Sequence, residues 1–342
     1  MVVERKEGAR PSMADVARLA GVSRTTVSLV INEMPHVSFP EGTRRRVLDA
    51  VEQLGYRPNA MARGLRSTRS HTLGIITDDI ATTPFAVDII RGAQSAALAH
   101  KKMLLVFDTA GNDEVEQTGF SMLTGWDIEG LIYATSHHRA VTPAVNLHSL
   151  PAVLVDCFMA DCTLPSVVPD EVQGGYIATE VLLKQGHRRI GFVNGIADWP
   201  ASIGRLQGYR RALAEYDVPY DQLLVQEGDW LQESCYAATH NLFSLPEPPT
   251  ALFCANDWMA MGAYDALKEL GLAIPQQVAV VGFDNREVIA AHMRPPLTTI
   301  ALPYFEMGQW AVECLVRASE AGRIPEPVQH TMPCPLVPRS SV

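Results

Sequence analysis

The sequence predicts an α/β protein with a small all-helical head at its amino terminus. Three observations predict this class. The head carries three short amphipathic helical patterns, and from residue 72 apolar runs alternate with helical patterns along the rest of the chain. The length of 342 residues is enough for two or three domains. Hydrophobic residues make up 47% and charged residues 19%, which excludes an intrinsically disordered chain.

Two short helices joined by a tight turn are predicted near the amino terminus. Ser12 is placed to cap a helix over residues 13–20, and Asp15 follows at the capping-box position. Gly21 ends that helix, and Ser23 is placed to cap the next one. Two amphipathic helices joined by so short a turn predict a helix-turn-helix.

The second helix has an apolar inner face and a polar outer face. Val27, Val30 and Ile31 recur at helical spacing and predict the inner face. A generic helical bundle is the alternative interpretation, but such a bundle does not require a polar outer face. The polar residues of that face are Arg24, Thr25, Thr26 and Ser28.

A third helix, over residues 41–54, is predicted to complete the head. Gly55 follows its last turn as a C-terminal stop. Its predicted inward-facing residues are Val47, Leu48, Val51 and Leu54. After Pro58, the basic stretch 59–66 has a helical pattern but is too short to be stable alone. It therefore either orders on DNA or remains a solvated linker.

Positive charge is concentrated in the head. The whole chain carries a formal net charge of -10, which by itself disfavours nucleic-acid binding. Residues 1–70, however, contain 12 basic and 7 acidic residues, whereas the remainder contains 16 basic and 31 acidic ones. A basic head on an acidic body indicates that one small module contacts phosphate and the rest does not.

The remainder of the chain predicts parallel sheets covered by helices on both faces. Seven apolar strands are predicted over residues 73–77, 103–107, 130–134, 152–156, 190–194, 251–255 and 278–283. Helical patterns lie near residues 84–100, 113–124, 173–185, 203–216, 231–245, 257–270 and 304–320. Seven strands are more than one sheet needs, so we expect two α/β lobes with a seam near residues 160–170.

Polar residues follow most of the predicted strands at their carboxyl ends, where ligands bind in such sheets. They are Asp78, Asp79, Asp156, Asn194, Asn256, Asp257, Asp284 and Asn285. Together with Arg205 they form a donor and acceptor set that suits the hydroxyls of a sugar or a nucleoside. Three aromatic residues can supply flat apolar faces: Phe85, Trp199 and Trp230. The alternative for Asp257 and Asp284 is that each caps the following helix.

Several classes of protein are disfavoured. The amino terminus lacks the apolar core of a signal peptide and no run is long enough to span a bilayer, so we expect a soluble cytoplasmic protein. Six cysteines without a C-x-x-C pair predict reduced thiols rather than disulfides or a zinc site. His137 and His138 are interpreted as a loop pair. No catalytic or phosphate-binding motif occurs, so we expect no catalytic residues, no metal and no cofactor.

A resemblance to a known family covers nearly the whole chain. The head matches it in MADVARLAGVSRTTVSLVIN (13–32) and in GYRPNAMARGLRSTRSHTLGII (55–76). The remainder matches it in GHRRIGFVNG (186–195), GRLQGYRRAL (204–213), EGDW (227–230), ANDWMAMGAYDAL (255–267), VAVVGFDN (278–285), PPLTTI (295–300) and LVPRSS (336–341). Each segment alone is a weak signal, but in this order they resemble the lactose-repressor (LacI/GalR) family of bacterial transcription regulators.

The resemblance implies a helix-turn-helix head, a hinge helix and a two-lobed, periplasmic-binding-protein-like core that forms a homodimer. The expected domains are 11–57 for the head, 58–70 for the hinge helix and linker, and 71–342 for the core, whose chain crosses back between the lobes near residue 300. The expected partners are near-palindromic double-stranded operator DNA and a small effector. A sugar is the expected effector class, and a nucleoside or purine is the second.

The resemblance also assigns two sets of site residues. The DNA-contacting set is Ser12, Ser23, Arg24, Thr25, Thr26, Ser28, Leu29, Asn32, His36, Asn59, Ala62 and Leu65. The effector-binding set is Asp78, Phe85, Asp156, Arg205, Trp230, Asn256 and Asp284, to which Trp199 is added as a nearby flat aromatic face. Arg24 and Thr25 fall where the family varies its base-reading residues, and Leu65 is the expected minor-groove wedge.

Three features depart from the family pattern. The run VSFPEGTRRRV (37–47) is longer than usual before the third helix and places Gly42 in its first turn. Ala201 stands where some relatives carry a small hydroxylated residue, so the identity of the effector does not transfer. No heptad run follows Ser340, so we expect a dimer rather than a tetramer.

The sequence therefore favours a ligand-controlled, DNA-binding transcriptional regulator, with repression as the expected mode. A solute-binding protein with the same core fold is the alternative, but it has no use for the helical head at residues 12–66. An enzyme that uses the cleft carboxylates is a third possibility. Asp78 and Asp79 are adjacent at a strand end, so they are expected to point apart rather than to flank a substrate.

Overall fold

The computed structural model describes residues 11–31, 39–57, 70–81 and 86–342. The chain divides into two compact units, Met1–Ser70 and His71–Val342. Six of the site residues assigned above lie outside the described residues: Asn32, His36, Asn59, Ala62, Leu65 and Phe85. No described helix is long and apolar enough to cross a membrane.

The helix-turn-helix predicted for the head is confirmed. Its helices are α1 (Met13–Ala20), α2 (Arg24–Ile31) and α3 (Glu41–Leu54). Ser12 and Asp15 form the expected capping box, in which the Ser12 amide donates to the Asp15 carboxylate over 2.9 Å. The amide of Thr26 donates to Oγ of Ser23 over 3.0 Å, which caps α2. The turn at Gly21 requires a left-handed backbone, with φ of 65°.

The core of the head is built from small and branched apolar side chains. Its buried members are Val16, Ala17, Ala20, Val27, Val30, Val47, Ala50 and Tyr56. The prediction that Leu48 faces inward is wrong, because its side chain is 46% exposed. Ala50 occupies the inner face instead. Residues 47, 50, 51 and 54 follow the helical spacing i, i+3, i+4 and i+7, whereas Leu48 is rotated by about 100° from Val47.

The larger unit contains two six-stranded sheets. Its described strands are β1 (Thr72–Thr77), β2 (Met103–Asp108), β3 (Gly130–Ala140), β4 (Ala152–Phe158), β5 (Ser166–Pro169), β6 (Ile190–Asn194), β7 (Val225–Glu227), β8 (Ala251–Cys254), β9 (Ala279–Asp284), β10 (Thr298–Ala301), β11 (Gln329–Met332) and β12 (Leu336–Val337). The strand orders are β11-β5-β4-β3-β1-β2 and β12-β10-β9-β8-β6-β7. The described strand pairs are parallel except β10 with β12.

Helices cover both sheets, as the apolar strands predict. They are α4 (Val87–Ala99), α5 (Asp113–Gly125), α6 (Glu171–Lys184), α7 (Pro200–Glu215), α8 (Gln232–Phe243), α9 (Asp257–Glu269), α10 (Glu287–Ala290) and α11 (Tyr304–Ala321). The seven predicted strands and seven predicted helices of this unit are confirmed. Strands β5, β7, β10, β11 and β12 were not predicted, because two to four residues are too few to show a period.

Three crossings join the two lobes. The chain leaves the first sheet after β5 and enters α6, whose Ala178 and Leu182 pack in the core of the second lobe. It returns between β10 and α11, because Met307 and Val312 pack with the first sheet. It crosses again between β11 and β12, which pair with different sheets. A cleft therefore lies between lobes whose strands point their carboxyl ends toward it.

Glycines permit the helices of each lobe to approach closely. A Cβ atom built at Gly208 on α7 would lie 2.2 Å from the carbonyl oxygen of Val172 on α6. We expect Gly208→Ala to lower the free energy of unfolding by about 1–3 kcal/mol, because the backbones must separate. Urea unfolding of the purified protein measures this change.

The matched control is Gly125→Ala at the end of α5. No atom lies within 4 Å of a Cβ built there. Because alanine is the better helix former, this change is expected to leave stability unchanged or raise it by up to about 1 kcal/mol. Equal losses in both variants would contradict close helix packing as the cause.

Candidate functional site

A buried charged cluster lies in the cleft between the lobes. Arg205 on α7 donates from Nε to Oε2 of Glu171 over 2.7 Å and from Nη1 to the carbonyl of Ala255 over 2.5 Å. Its Nη1 lies 4.0 Å from Oδ1 of Asp284, and Oδ2 of Asp284 lies 3.7 Å from Nε of Arg286. The cluster joins the start of α6, the start of α7 and the end of β9.

The charges of this cluster support each other. Burial alone raises the pKa of Glu171, but the adjacent Arg205 guanidinium, its hydrogen bond and the nearby His138 imidazole bring that pKa below its usual range. Burial likewise lowers the pKa of Arg205, and the charges of Glu171 and Asp284 raise it above its usual range. The Glu171–Arg205 pair therefore remains ionised although both side chains are about 95% buried.

Asp156 is a buried carboxylate close to Glu171 and Arg205. It lies in β4, its side chain is fully buried, and neither carboxylate oxygen has a hydrogen-bond partner among the described residues. Burial raises its pKa well above the usual range and the negative charge of Glu171 adds to the rise, while the nearby Tyr304 hydroxyl and Arg205 guanidinium oppose it. Buried polar groups are almost always hydrogen-bonded, so a carboxylate left in this condition indicates a place for donors supplied by a ligand.

Aromatic rings line the same cleft. The rings of Trp199 and Trp230 lie 5.6 Å apart, and the guanidinium of Arg205 lies 5.4 Å from the Trp230 ring. Nε1 of Trp230 is buried without a hydrogen-bond partner among the described residues. Flat rings beside this N–H donor and the Asp156 carboxylate together suit a ring-shaped ligand that carries hydroxyl groups.

One aromatic contact connects the two lobes. The His137 ring, from β3, stacks on the Trp199 ring at 4.2 Å with an interplanar angle of 13°. Burial lowers the pKa of His137 to about 4, so this imidazole is neutral near pH 7. The stack therefore adds apolar ring surface without adding charge.

The interpretation of His137 and His138 as a loop pair is wrong. Both residues lie in β3, which continues past a register shift between Ala134 and Arg139. Nδ1 of His138 lies 3.8 Å from Oε1 of Glu171. Both histidines follow the predicted strand 130–134, so the rule applied to the other strand ends also identifies them. No metal-binding cluster of histidine, cysteine or acidic residues occurs among the residues described.

The side chains of two predicted cleft residues are already hydrogen-bonded within the protein. The carboxylate of Asp78 accepts from the amide of Ser136 over 3.0 Å and from Nη2 of Arg139 over 3.0 Å. The side chain of Asn256 accepts from the amide of Met259 over 2.6 Å and donates to the carbonyl of Trp230 over 3.1 Å. These two side chains therefore shape the cleft rather than present free groups to it.

The capping alternative for Asp257 and Asp284 is wrong. Asn256, not Asp257, is the N-cap of α9, and Arg286 rather than Asp284 precedes α10. Asp257 is buried and accepts from the amide of Arg286 over 2.7 Å. Burial raises the pKa of Asp284, while Arg286 and Arg205 oppose the rise. Asp284 thus remains part of the charged cluster.

The cleft residues also carry backbone strain. Asp156, Trp230, Asp284 and Asn285 have φ values of 58°, 72°, 103° and 55°. Residues other than glycine adopt such angles rarely, at a cost of about 1–3 kcal/mol each, and the surroundings must enforce them. Strain of this kind concentrates at ligand sites, in agreement with the charged cluster and the orphan polar groups.

A second surface with functional chemistry lies on α2 of the head. Ser23, Arg24 and Thr25 are exposed, and Thr26, Ser28 and Leu29 are half-buried. Ser12 is exposed at the start of α1. The guanidinium and hydroxyl groups of this face can donate to base edges and phosphates in the major groove.

Comparison with known proteins gives a match in each part of the chain. Residues 12–59 match the model of bacterial regulatory proteins of the lacI family, and residues 179–342 match the periplasmic binding protein-like domain. The chain is 33% identical to the HTH-type transcriptional repressor CytR of Escherichia coli (strain K12) over 338 residues, which is 98% of each chain.

Two solved structures are similar over almost the whole length. One is the complex of the transcriptional regulator CelR with cellobiose, with 31% identity, a TM-score of 0.67 and coverage of 97% of this chain and 100% of the other. The second is the Lac repressor dimer bound to operator and the anti-inducer ONPF, with 28% identity, a TM-score of 0.79 and coverage of 97% and 99%.

Proposed function

Since this chain belongs to the lacI family of bacterial regulatory proteins, we propose that it is a transcriptional repressor whose operator binding is controlled by a small effector. The effector binds between the lobes of the core, and the protein acts as a homodimer on near-palindromic DNA. The observation that carries the effector site is Asp156, which is buried in the cleft without a hydrogen-bond partner among the described residues.

Successive parts of the chain have different proposed roles. The head, residues 11–57, binds DNA through the outer face of α2, and residues 71–342 bind the effector. The hinge helix and linker expected over residues 58–70 lie, apart from Ser70, outside the described residues. The solved Lac repressor dimer bound to operator, which is similar over 97% of this chain, supports the dimer and the DNA partner. Two-fold symmetry in the protein requires two-fold symmetry in the operator.

A sugar is the effector class that the cleft suits best. The Asp156 carboxylate provides acceptors for neighbouring hydroxyls, Trp230 provides an N–H donor, and the Trp199 ring provides a surface for an apolar sugar face. The similar regulator solved with cellobiose supports this class. A nucleoside is the second candidate, because the parallel His137 and Trp199 rings form a platform for a flat base.

The cleft is proposed to bind and release its ligand unchanged. Relatives of this chain are named as transcriptional repressors, which supports a binding role rather than an enzymatic one. Incubation with each candidate ligand followed by chromatography tests this. Recovery of unaltered ligand is expected, and formation of more moles of product than of protein would contradict it.

A thermal-shift panel tests the effector class. The probes are D-glucose, D-ribose, cellobiose, adenosine and cytidine, each at several concentrations. A ligand at 100 times its Kd adds about 2.7 kcal/mol to stability, which is a shift of several degrees. The same panel on Asp156→Asn is the control, because a cleft ligand is expected to lose its effect there. A shift that is equal in both proteins places binding elsewhere, and no shift with any of the five probes rejects the proposed effector classes.

The head is tested by Arg24→Ala. Loss of a bidentate contact to a base is expected to cost about 1–3 kcal/mol and to relax the base preference at one position in each half-site. Selection of binding sites from random DNA measures both the wild-type preference and the change. Arg18→Ala on α1, whose side chain is 70% exposed, is the control and is expected to leave base preference intact. Unchanged preference in Arg24→Ala, or asymmetric selected sites for the wild type, would contradict the proposed mode of binding.

A further inference from the structure

The segment LVPRSS (336–341) is hydrogen-bonded to the loop that carries two cleft residues. Asp284 is the last residue of β9 and Arg286 precedes α10, so both lie in the segment 284–287 that joins the two elements, called loop 284–287 below. Asp284 and Asn285 are consecutive residues with positive φ, 103° and 55°. Two such residues in a row do not persist without external support, because each costs about 1–3 kcal/mol.

Arg339 supplies much of that support. Its Nη2 donates to Oδ1 of Asn285 over 2.7 Å and to Oε2 of Glu287 over 2.8 Å. Its Nη1 donates to the carbonyl of Leu297 over 2.9 Å, and its backbone amide donates to Oγ1 of Thr298 over 2.9 Å. One planar guanidinium therefore ties the loop to the start of β10.

The base of Arg339 is itself fixed. The amide of Thr298 donates to Oγ of Ser341 over 2.7 Å, and that hydroxyl donates to the carbonyl of Val280 over 2.6 Å. The amide of Val280 donates to the carbonyl of Ser341 over 2.8 Å. Ser341 is fully buried, and the Arg339 side chain is 12% exposed. Residues 339–341 are therefore hydrogen-bonded to both β9 and β10.

We infer that Arg339 is a positioning residue for the effector cleft: it does not contact the cleft cluster, and it holds loop 284–287 in the strained form that presents Asp284 to Arg205. The expected effect on effector affinity rests on the proposed function. The effect of Arg339 on the conformation of loop 284–287 does not depend on it. A guanidinium is required because three acceptors lie at fixed directions around it, which one ammonium cannot reach together.

Hydrogen exchange tests the geometric part without any ligand. In Arg339→Gln, the backbone amides of residues 285–290 are expected to exchange at least tenfold faster than in the wild type, whereas those of 190–194 and 251–254 change by less than twofold. Arg339→Lys is expected to behave like Arg339→Gln, because charge alone does not span the acceptors. Arg323→Gln is the control, since that side chain is 68% exposed and pairs only with Glu326 three residues away among the described contacts.

The outcomes separate positioning from general stability. Unchanged exchange at 285–290 in Arg339→Gln overturns the inference, and so does faster exchange throughout the core, which indicates a merely structural role. Full restoration by Arg339→Lys overturns the geometric explanation. A second arm titrates each variant with the probe that gives the largest thermal shift for the wild type, and at least tenfold weaker binding is expected for both Arg339 variants. If no probe binds the wild type, the proposed effector classes fail while the exchange result still decides the role of Arg339.

Discussion

Replacement of Arg205 by alanine is expected to lower the free energy of unfolding of the core by about 3–5 kcal/mol and to abolish the response to the effector. Removing one partner of a buried ion pair leaves the other charge without compensation. Here the charge that remains is Glu171, which is 5% exposed and loses its 2.7 Å hydrogen bond. The cation–π contact of Arg205 with Phe283, at 3.7 Å, is lost as well.

Arg211→Ala on the same helix is the matched control. Arg211 pairs with Glu215 over 2.9 Å, but the two side chains are 56% and 47% exposed. An exposed pair of this kind contributes at most about 1 kcal/mol. Chemical unfolding of both variants measures the difference. A loss below 1 kcal/mol in Arg205→Ala would contradict the description of the cleft pair as buried and mutually dependent.

Replacement of Asp156 by asparagine is expected to have opposite effects on stability and on binding. The unliganded protein is expected to gain about 1–3 kcal/mol at pH 7, because burial close to Glu171 penalises ionisation of Asp156 and asparagine removes that penalty. Asparagine also tolerates the left-handed backbone at this position, where φ is 58°. Effector affinity is expected to fall at least a hundredfold, about 2.7 kcal/mol, because half of the acceptor set is replaced by donors.

The pH dependence gives an independent check of this change. The folded-state pKa of Asp156 is raised above its unfolded value, so the folded state holds the proton more tightly. Its contribution to stability is therefore fully present below about pH 4 and declines as the pH rises through the raised pKa. Thermal unfolding between pH 4 and 8 is expected to show a smaller decline in Asp156→Asn than in the wild type. Parallel curves would show that Asp156 does not titrate in this range or is already hydrogen-bonded.

The long strands and helices could be predicted from the sequence because each carries a full period of apolar residues. The short strands β5, β7, β10, β11 and β12 escaped prediction, since segments of two to four residues have no pattern to show. Gln329–Met332, for example, is also largely exposed. Leu48 was misplaced because it sits next to Val47 in sequence, while on the helix the two point in different directions.

The cleft was predictable only in part. Asp156 and Asp284 stand at strand ends, and Arg205 falls in a segment that resembles the family, so chain position alone suggests them. Glu171 and Arg339 were not found, because their roles depend on which elements the crossings bring together. The opposite error occurred for Asp78, which stands at a strand end but is occupied by Ser136 and Arg139.

We propose that a ligand in the cleft between the lobes controls binding of DNA by the head. An operator titration tests this control. It uses the wild type and Asp156→Asn, with and without the sugar or nucleoside that shifts the wild type, on a DNA site selected from random sequence. We expect the ligand to change wild-type operator affinity at least tenfold, and we expect Asp156→Asn to bind the operator within about threefold of the wild type without responding to the ligand. A full response in Asp156→Asn, or a ligand that binds the wild-type cleft without changing operator affinity, would contradict this proposal.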